Sequence, residues 1–333
     1  MVQREVELKF QLSSESVDRV LETPLLLELR RSGPSSVRMV STYFDTADGS
    51  LHRARAALRV RRVHDVVIQT FKAMSGPGGH DRLESEVRLS GEEPDLTRLP
   101  EAFPLDGWIG LRAALLAEGV QPEFTTDIHR TRLQVGAEGW KVEAALDQGQ
   151  IQAGDGIEEV RELELELQEG PVWRLFDLAS RLLDELPFRM LGPSKAARGA
   201  WLARGGGPVV EPWSFPDPVE ATPASGGMTD RGYTCIEHAL AHDYAARQTG
   251  SAQALEQVEI ALSHLRTLLA LVQEDNSDPV SSPAELGDTL AVLQQARKEY
   301  SSDAGAPVGD SHVFTRALLL AGRQLSRPRS PLA

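Results

Sequence analysis

Apolar and charged side chains alternate along the first ten residues of the chain, which include the run Glu5-Val-Glu-Leu-Lys-Phe10. Successive side chains of a β-strand point to opposite faces, so this run predicts a strand with one charged face and one apolar face. Most charged faces contact solvent, but a face with two carboxylates and an ammonium could equally line a polar cavity. The run alone does not decide between these two interpretations.

The same alternation recurs in later segments, and its recurrence favours a cavity. These segments are Ala57–Arg61, Arg82–Arg88, His129–Arg132 and Arg161–Leu167. Like charges aligned on one strand face repel each other. Rows of acids on some strands and of bases on others therefore indicate a shared target, which would be a polyanion bound together with a divalent metal ion.

The pattern predicts a sheet-rich first region. Strands are expected at Glu5–Phe10, Val37–Phe44, Ala56–Val63, Val66–Lys72, Arg82–Leu89, Phe124–Val135, Trp140–Asp147 and Val160–Leu167, and helices at Ser13–Leu21, Ile109–Leu116 and Val172–Leu186. The short links between strands favour antiparallel hairpins. A barrel best accommodates charges on one face of so many strands, because closure removes sheet edges and provides an interior.

A change in pattern after residue 203 predicts a second region. Residues 204–228 are rich in proline and glycine with little periodicity, which is typical of a linker. Residues 229–333 show helical spacing, with helices expected at Ile236–Arg247, Ala254–Val272, Ala284–Tyr300 and Val313–Leu325. We therefore predict a domain at 1–203, a linker at 204–228 and a small helical bundle at 229–333.

Composition restricts the class of partner. The chain has 333 residues, a formal net charge of −14 and a pI near 5.1, which argues against wrapping nucleic acid. No apolar run reaches the roughly 18 residues of a membrane span, so no membrane partner is expected either. The single cysteine, Cys235, excludes an intramolecular disulfide and a cysteine-based zinc site. With a charged strand in place of a signal peptide, these features predict a cytoplasmic location.

The charged segments resemble the CYTH superfamily, also called the triphosphate tunnel metalloenzymes. Glu5-Val-Glu-Leu-Lys9 matches that family's Glu-x-Glu-x-Lys signature. Further blocks follow in the family's order: Tyr43-Phe-Asp-Thr46, Leu58-Arg-Val-Arg61, Thr70-Phe-Lys72, Arg82-Leu-Glu-Ser-Glu86, Arg130-Thr-Arg132, Ala145-Leu-Asp147, Glu162-Leu-Glu-Leu-Glu166 and Ser194-Lys195. One Glu-x-Glu-x-Lys occurs easily by chance, whereas an ordered series over residues 1–203 is a specific signal.

The resemblance implies an α+β fold, in which a closed antiparallel barrel of eight strands with flanking helices forms a tunnel. The small all-α bundle would follow it. Carried over to this chain, Mg²⁺ or Mn²⁺ would be held by Glu5, Glu7, Asp147, Glu162, Glu164 and Glu166. The phosphates would be neutralised by Lys9, Arg59, Arg61, Lys72, Arg82, Arg130, Arg132 and Lys195. Lys9, Arg59 and Arg61 would also act in catalysis, while Glu84 and Glu86 would orient the bases.

The implied activity is hydrolysis of a phosphoanhydride, with tripolyphosphate cleaved to diphosphate and phosphate. Thiamine triphosphate, nucleoside triphosphates and an adenylate cyclase reaction remain alternatives, because the sequence does not define the tunnel mouth. A sensor that binds polyphosphate or nucleotide without turnover is an alternative from another class. A purely structural barrel is disfavoured, because each unpaired buried charge would cost several kcal/mol.

The helical region resembles the CHAD domain, a basic helical module that often follows a CYTH domain and is associated with polyphosphate. Leu255–Arg266 resembles a CHAD helix, but Glu256 and Glu259 stand where basic residues are usual, and only His264 and Arg266 remain of the basic cluster. Polyphosphate needs a concentrated positive surface. We therefore expect a partial CHAD-like module that folds without binding long-chain polyphosphate, and that serves in packing or in forming a homodimer.

Overall fold

The computed structural model of the protein describes residues 2–74, 81–214, 227–274, 283–301 and 311–327. The linker predicted at 204–228 lies partly outside these ranges, so its prediction is not tested. The side chain of Arg82, predicted to bind phosphate, also lies outside the described residues, although its backbone belongs to a strand.

An antiparallel sheet forms the centre of the fold. Its strands are β1 Val2–Gln11, β2 Ser35–Asp45, β3 Ala56–Val63, β4 Val66–Met74, β5 Asp81–Leu89, β6 Gln121–Ala137, β7 Trp140–Ala153, β8 Gly156–Glu169 and β9 Arg189–Met190. They lie in the order β5-β4-β3-β2-β6-β7-β8-β1-β9. Every strand predicted from the alternating pattern lies within one of these elements.

Strand β1 pairs with several partners, and here the sheet departs from the prediction. Val2–Val6 pair with β5, whereas Glu7–Gln11 pair with β8. Phe10 and Gln11 pair in addition with β9. The sheet therefore has nine strands in an open order with an additional β1–β5 pairing, instead of the eight strands of a closed barrel. Strand β9 was missed because its two residues are too few to show an alternation.

Helices cover the sheet and follow it. They are α1 Ser14–Val17, α2 Pro24–Leu29, α3 Ser50–Arg53, α4 Trp108–Glu118, α5 Trp173–Glu185, α6 Lys195–Arg204, α7 Gly227–Thr249, α8 Ala252–Glu274, α9 Pro283–Ser301 and α10 Ser311–Ser326. The predicted helix at Ser13–Leu21 is shorter than expected, since α1 ends at Val17 and a separate 3-10 turn follows. Within the described ranges, no helix has both the length and the apolar character that crossing a membrane requires.

The apolar faces of β1 and β8 belong to a core that also contains α5. Leu8, Phe10, Leu163 and Leu165 are at most 2% exposed, and Phe176 of α5 is 1% exposed. Burial of each such side chain contributes about 1.5–3 kcal/mol relative to leaving it in water. Because the apolar side chains of these strands point towards α5, their charged side chains point to the opposite face of the sheet.

The C-terminal helices complete their packing on this same core. Helix α10 approaches α5 closely, since a Cβ built at Gly322 would lie 2.2 Å from Cε1 of Phe176. Arg189 of β9 donates from Nε to the buried Asp243 of α7 at 2.9 Å. The helical spacing had suggested that the helices of residues 229–333 pack only against one another. They also pack against the sheet region. The domain limits remain a prediction.

Candidate active site

The charged faces of the strands line a cavity of about 1100 Å³, which we call the central cavity. Pairing between strands sets which charges meet there. Glu7 lies opposite Glu166 and Lys9 opposite Glu164 in the β1–β8 ladder, and Asp147 of β7 lies opposite Glu162. Directly opposed side chains of an antiparallel pair lie close together. The carboxylates of three strands are therefore brought together, and those of Glu5, Glu7, Asp147, Glu164 and Glu166 line the cavity, whereas Glu162 lies outside its lining.

A first acid group, consisting of Asp147, Glu162 and Glu164, is neutralised by cationic side chains. Arg130 donates to both oxygens of Asp147, at 2.6 and 2.7 Å, and also contacts Glu164. Lys195 of α6 lies 2.8 Å from Asp147, 2.6 Å from Glu162 and 2.8 Å from Glu164. Asp147 and Glu162 are each 1% exposed, so these contacts replace water around buried charges.

The pKa values of this network shift in the directions that neutralisation requires. Burial opposes ionisation of Glu164, but Arg130 and Lys195 hold the pKa of its carboxyl well below the usual value. Burial likewise opposes the charge of Lys195. Its pKa is nevertheless raised by the neighbouring carboxylates of Asp147, Glu162 and Glu164. The pKa of Arg130 is raised for the same reason, against burial, by Glu164 and Asp147. Glu164, Lys195 and Arg130 therefore remain ionised at neutral pH.

A second acid group, consisting of Glu5, Glu7 and Glu166, is less well neutralised. Burial, followed by the neighbouring Glu5 and Glu7, raises the pKa of Glu166 to about 7. Burial and a hydrogen bond with Glu84 raise the pKa of Glu5 to about 7, although Lys72 lies 2.7 Å away. Lys9 lies 3.1 Å from Glu7. Carboxylates that raise one another's pKa would be stabilised by an added cation.

The two acid groups differ in their suitability for a metal ion. In the described part of the chain, no three acidic, histidine or cysteine side chains already meet as a formed metal site. The second acid group nevertheless offers the hard oxygen donors that Mg²⁺ and Mn²⁺ prefer, and it has excess negative charge. In the first acid group, both oxygens of Glu162 already contact cations, one Lys195 and the other Arg198. The second acid group thus fits a divalent ion better.

Arg59, Arg61 and Arg132 also line the central cavity, and we call these three residues the basic wall. Burial, followed by the neighbouring Arg59, lowers the pKa of Arg61 to about 10, so its guanidinium stays charged at neutral pH. Ser41 accepts a hydrogen bond from Nε of Arg61 at 3.1 Å. Among the described residues, the buried Nε atoms of Arg59 and Arg132 have no hydrogen-bond partner. Buried donors of this kind favour an anionic ligand.

Lys72, which was also predicted to bind phosphate, is paired with acidic side chains. Lys72 lies 2.5 Å from Glu84 as well as 2.7 Å from Glu5. Glu84 also lies 3.8 Å from Arg59, and Glu86 accepts a hydrogen bond from Thr70 at 2.9 Å. That Glu84 and Glu86 orient the bases remains a prediction. The contacts of Glu84 with Lys72 and Arg59 are consistent with it.

Several residues that lie at the site were not predicted from the sequence. Arg198 contacts Glu162 and lies 2.6 Å from Glu158, yet helix α6 was not predicted, so its arginine gave no signal. The spacing of Lys195 and Arg198 at i and i+3 could have indicated a shared helix face. Tyr43 was left outside the predicted site, but its hydroxyl lies 3.5 Å from Arg59 and it lines the cavity.

Comparisons with known proteins identify a matching family and a curated relative. The model of the CYTH domain family matches residues 3–200. An inorganic triphosphatase of Haemophilus influenzae is 30% identical over 202 residues, which cover 59% of this chain and 54% of that protein. The chain thus matches about half the length of this curated relative.

Two solved structures that match part of the chain share little sequence with it. A putative adenylate cyclase from Bacillus halodurans is 18% identical, with a TM-score of 0.38 over 55% of this chain and 89% of that one. A putative adenylyl cyclase from Hippeastrum, described as having a dominant triphosphatase activity, is 20% identical, with a TM-score of 0.38 over 61% of this chain and 96% of that one.

Proposed function

Since the chain belongs to the CYTH domain family, we propose that it is a metal-dependent hydrolase that cleaves inorganic triphosphate to diphosphate and phosphate in its central cavity. One observation supports this proposal above the others. The half-buried basic wall of Arg59, Arg61 and Arg132 and the second acid group of Glu5, Glu7 and Glu166 line the same cavity. A polyphosphate needs the first, and a divalent cation needs the second.

The residues of the chain would bind and polarise the substrate. The basic wall would hold the phosphate oxygens, and Ser41 and Tyr43 would keep the two guanidinium groups of β3 in place. Lys9, which is 5% exposed, would add a cation next to the second acid group. Positive groups fixed in a site from which water is largely excluded stabilise the charge that develops during phosphoryl transfer.

The second acid group would hold Mg²⁺ or Mn²⁺. A bound divalent ion supplies charge neutralisation and a water molecule of lowered pKa. The first acid group would act differently, since Arg130 and Lys195 occupy its oxygens. Its role would be to hold these two cations in a fixed position on the cavity wall. No side-chain nucleophile is required by this arrangement.

The test is a tripolyphosphate assay with Mg²⁺ or Mn²⁺, in which phosphate release is measured and the products are separated by chromatography. We expect turnover only with added metal, complete loss with chelator, and lower activity with Ca²⁺, because calcium is larger and imposes octahedral order less strictly. Undiminished turnover after thorough metal removal would overturn the metal requirement. Binding of tripolyphosphate without turnover would favour a sensor instead.

An organic triphosphate is a second candidate substrate, because the volume of the cavity would accommodate it. The cavity measures about 1100 Å³, whereas pockets for drug-sized ligands span about 300–1000 Å³. Thiamine triphosphate and nucleoside triphosphates therefore belong in the same assay, together with a test for cyclic nucleotide formation.

A further inference from the structure

One end of the central cavity is lined by the C-terminal helical region rather than by the sheet. Helix α7 contributes Thr234, Glu237, His238 and Ala241 to the lining. A segment before the helix contributes Glu211. The CYTH family match ends at residue 200, so these residues lie beyond it. The cavity that holds the candidate site is therefore built by both regions of the chain.

Helix α7 is fixed against the sheet region by several independent contacts. Its buried Asp243 binds Arg189 of β9. Leu240 packs on Gly192, where an added Cβ would lie only 2.9 Å from the Cβ of Leu240. These contacts lie at the C-terminal end of the stretch of α7 that lines the cavity, so the helix forms a fixed wall at this end.

An ion pair links this wall to the sheet region, and both of its residues line the cavity. Nη2 of Arg55 donates to Oε1 of Glu237 at 2.8 Å. Arg55 belongs to the short link between α3 and β3 and has a positive φ of 53°, which is unusual for a residue other than glycine. The Arg55 side chain is 68% exposed and that of Glu237 is 19% exposed. The pair therefore lies where the cavity meets solvent.

The pair would act on a large substrate in two ways. It connects helix α7 with the link between α3 and β3, so a group extending from the bound triphosphate towards α7 would have to pass it. Glu237 also places a carboxylate on this end of the cavity, where it repels further phosphates or other anionic groups. Tripolyphosphate held by the basic wall carries no such extension and would not meet either barrier.

We propose that helix α7 is a specificity-determining wall of the central cavity, and that the Arg55–Glu237 pair restricts this end to substrates no larger than inorganic triphosphate. The proposal rests on the proposed function, because it concerns the choice among triphosphates. It assigns to the helical region a part in substrate selection, in addition to its packing role.

The test compares kcat/KM for ATP with kcat/KM for tripolyphosphate in the full-length chain. Glu237→Gln removes both the ion pair and the charge, and we expect the ATP to tripolyphosphate ratio to rise about two- to fivefold, the range for loss of a partly exposed ion pair. Arg55→Gln breaks the pair but leaves the carboxylate, so its rise should be smaller. The exchanged pair Arg55→Glu with Glu237→Arg should return the ratio towards that of the wild type. Glu256→Gln, on the exposed face of α8, is the matched control.

The outcomes separate the two proposals. If neither wild type nor variants hydrolyse tripolyphosphate, the proposed function fails. If all of them hydrolyse tripolyphosphate and the ratio stays unchanged in Glu237→Gln and Arg55→Gln, the function stands and the role of α7 is wrong. An equal rise in Glu256→Gln would also overturn that role, because it would show a general effect of removing negative charge.

Discussion

Glu162 and Glu166 lie on the same face of β8, yet neutralising them should have opposite consequences. Glu162 is 1% exposed, and its two oxygens contact Lys195 and Arg198. Glu162→Gln leaves these buried cations undercompensated, and breaking a buried pair in this way costs about 3–5 kcal/mol. At about 2–4 °C per kcal/mol for a domain of this size, the melting temperature should fall by about 6–20 °C.

Glu166→Gln removes a charge from carboxylates that repel one another. Burial and the neighbouring Glu5 and Glu7 already raise the pKa of Glu166 to about 7. At pH 8, without metal, the melting temperature of this variant should therefore equal or exceed that of the wild type. Its metal dependence should change instead, with half-maximal activity requiring at least about 10-fold more Mg²⁺.

The assay is a thermal melt at pH 8 without metal, combined with a titration of tripolyphosphate turnover against Mg²⁺. Both variants replace a carboxylate by an amide of nearly equal volume on one strand, so each serves as the control for the other. The division of the carboxylates into two groups is refuted if Glu162→Gln has the same melting temperature as the wild type. It is equally refuted if Glu166→Gln is destabilised to the same extent and keeps the wild-type Mg²⁺ requirement.

Two further predictions concern the basic wall and the helical region. In steady-state kinetics, Lys9→Ala and Arg61→Ala should each raise KM and lower kcat by about 100-fold, because phosphate neutralisation acts before and during the chemistry. The control is Arg62→Ala, which should show no such change, because the Arg62 side chain is exposed and pairs with Glu92 at 2.5 Å. Burial, followed by His242, lowers the pKa of His238 to about 4 from its ordinary 6.5, so the unfolded state binds the proton first and stability is lost as the pH falls through this window. Thermal melts between pH 7 and pH 4.5 should show a smaller loss for His238→Asn, and parallel curves would contradict this assignment.

The alternating pattern predicted the strands well because each strand has one face against α5 or another apolar layer and one face in the cavity. The prediction of β3 at Ala56–Val63 agrees with the structure at both ends. Short elements carry no such pattern, which explains why β9 and α3 were missed. The predicted closed barrel of eight strands was wrong, because the pairing of β1 with β5, β8 and β9 depends on register between segments far apart in sequence.

Residue types at the site could be predicted, but their grouping could not. The acids of β1 and β8 form identical local patterns, and the sequence assigned them all to metal. What separates Glu162 from Glu166 is the position of Lys195 and Arg198 on α6, a helix that reaches β8 only through the fold. The part played by α7 in lining the cavity was likewise beyond the reach of a local pattern. Whether the helical region is a partial CHAD-like module that does not bind long-chain polyphosphate remains a prediction.

The position of β1 has a consequence for synthesis of the protein on the ribosome. Although β1 is translated before the other strands of this sheet, its partners include β8 at Gly156–Glu169 and β9 at Arg189–Met190. Residues Glu7–Gln11 of the nascent β1 therefore cannot pair with β8 and β9 until most of the sheet region has been synthesised. Pairing over such sequence separation is slow and leaves strand edges exposed in the meantime. The charged residues Glu5, Glu7 and Lys9 would keep this waiting strand from associating with other chains, since charges on an exposed strand oppose edge-to-edge aggregation.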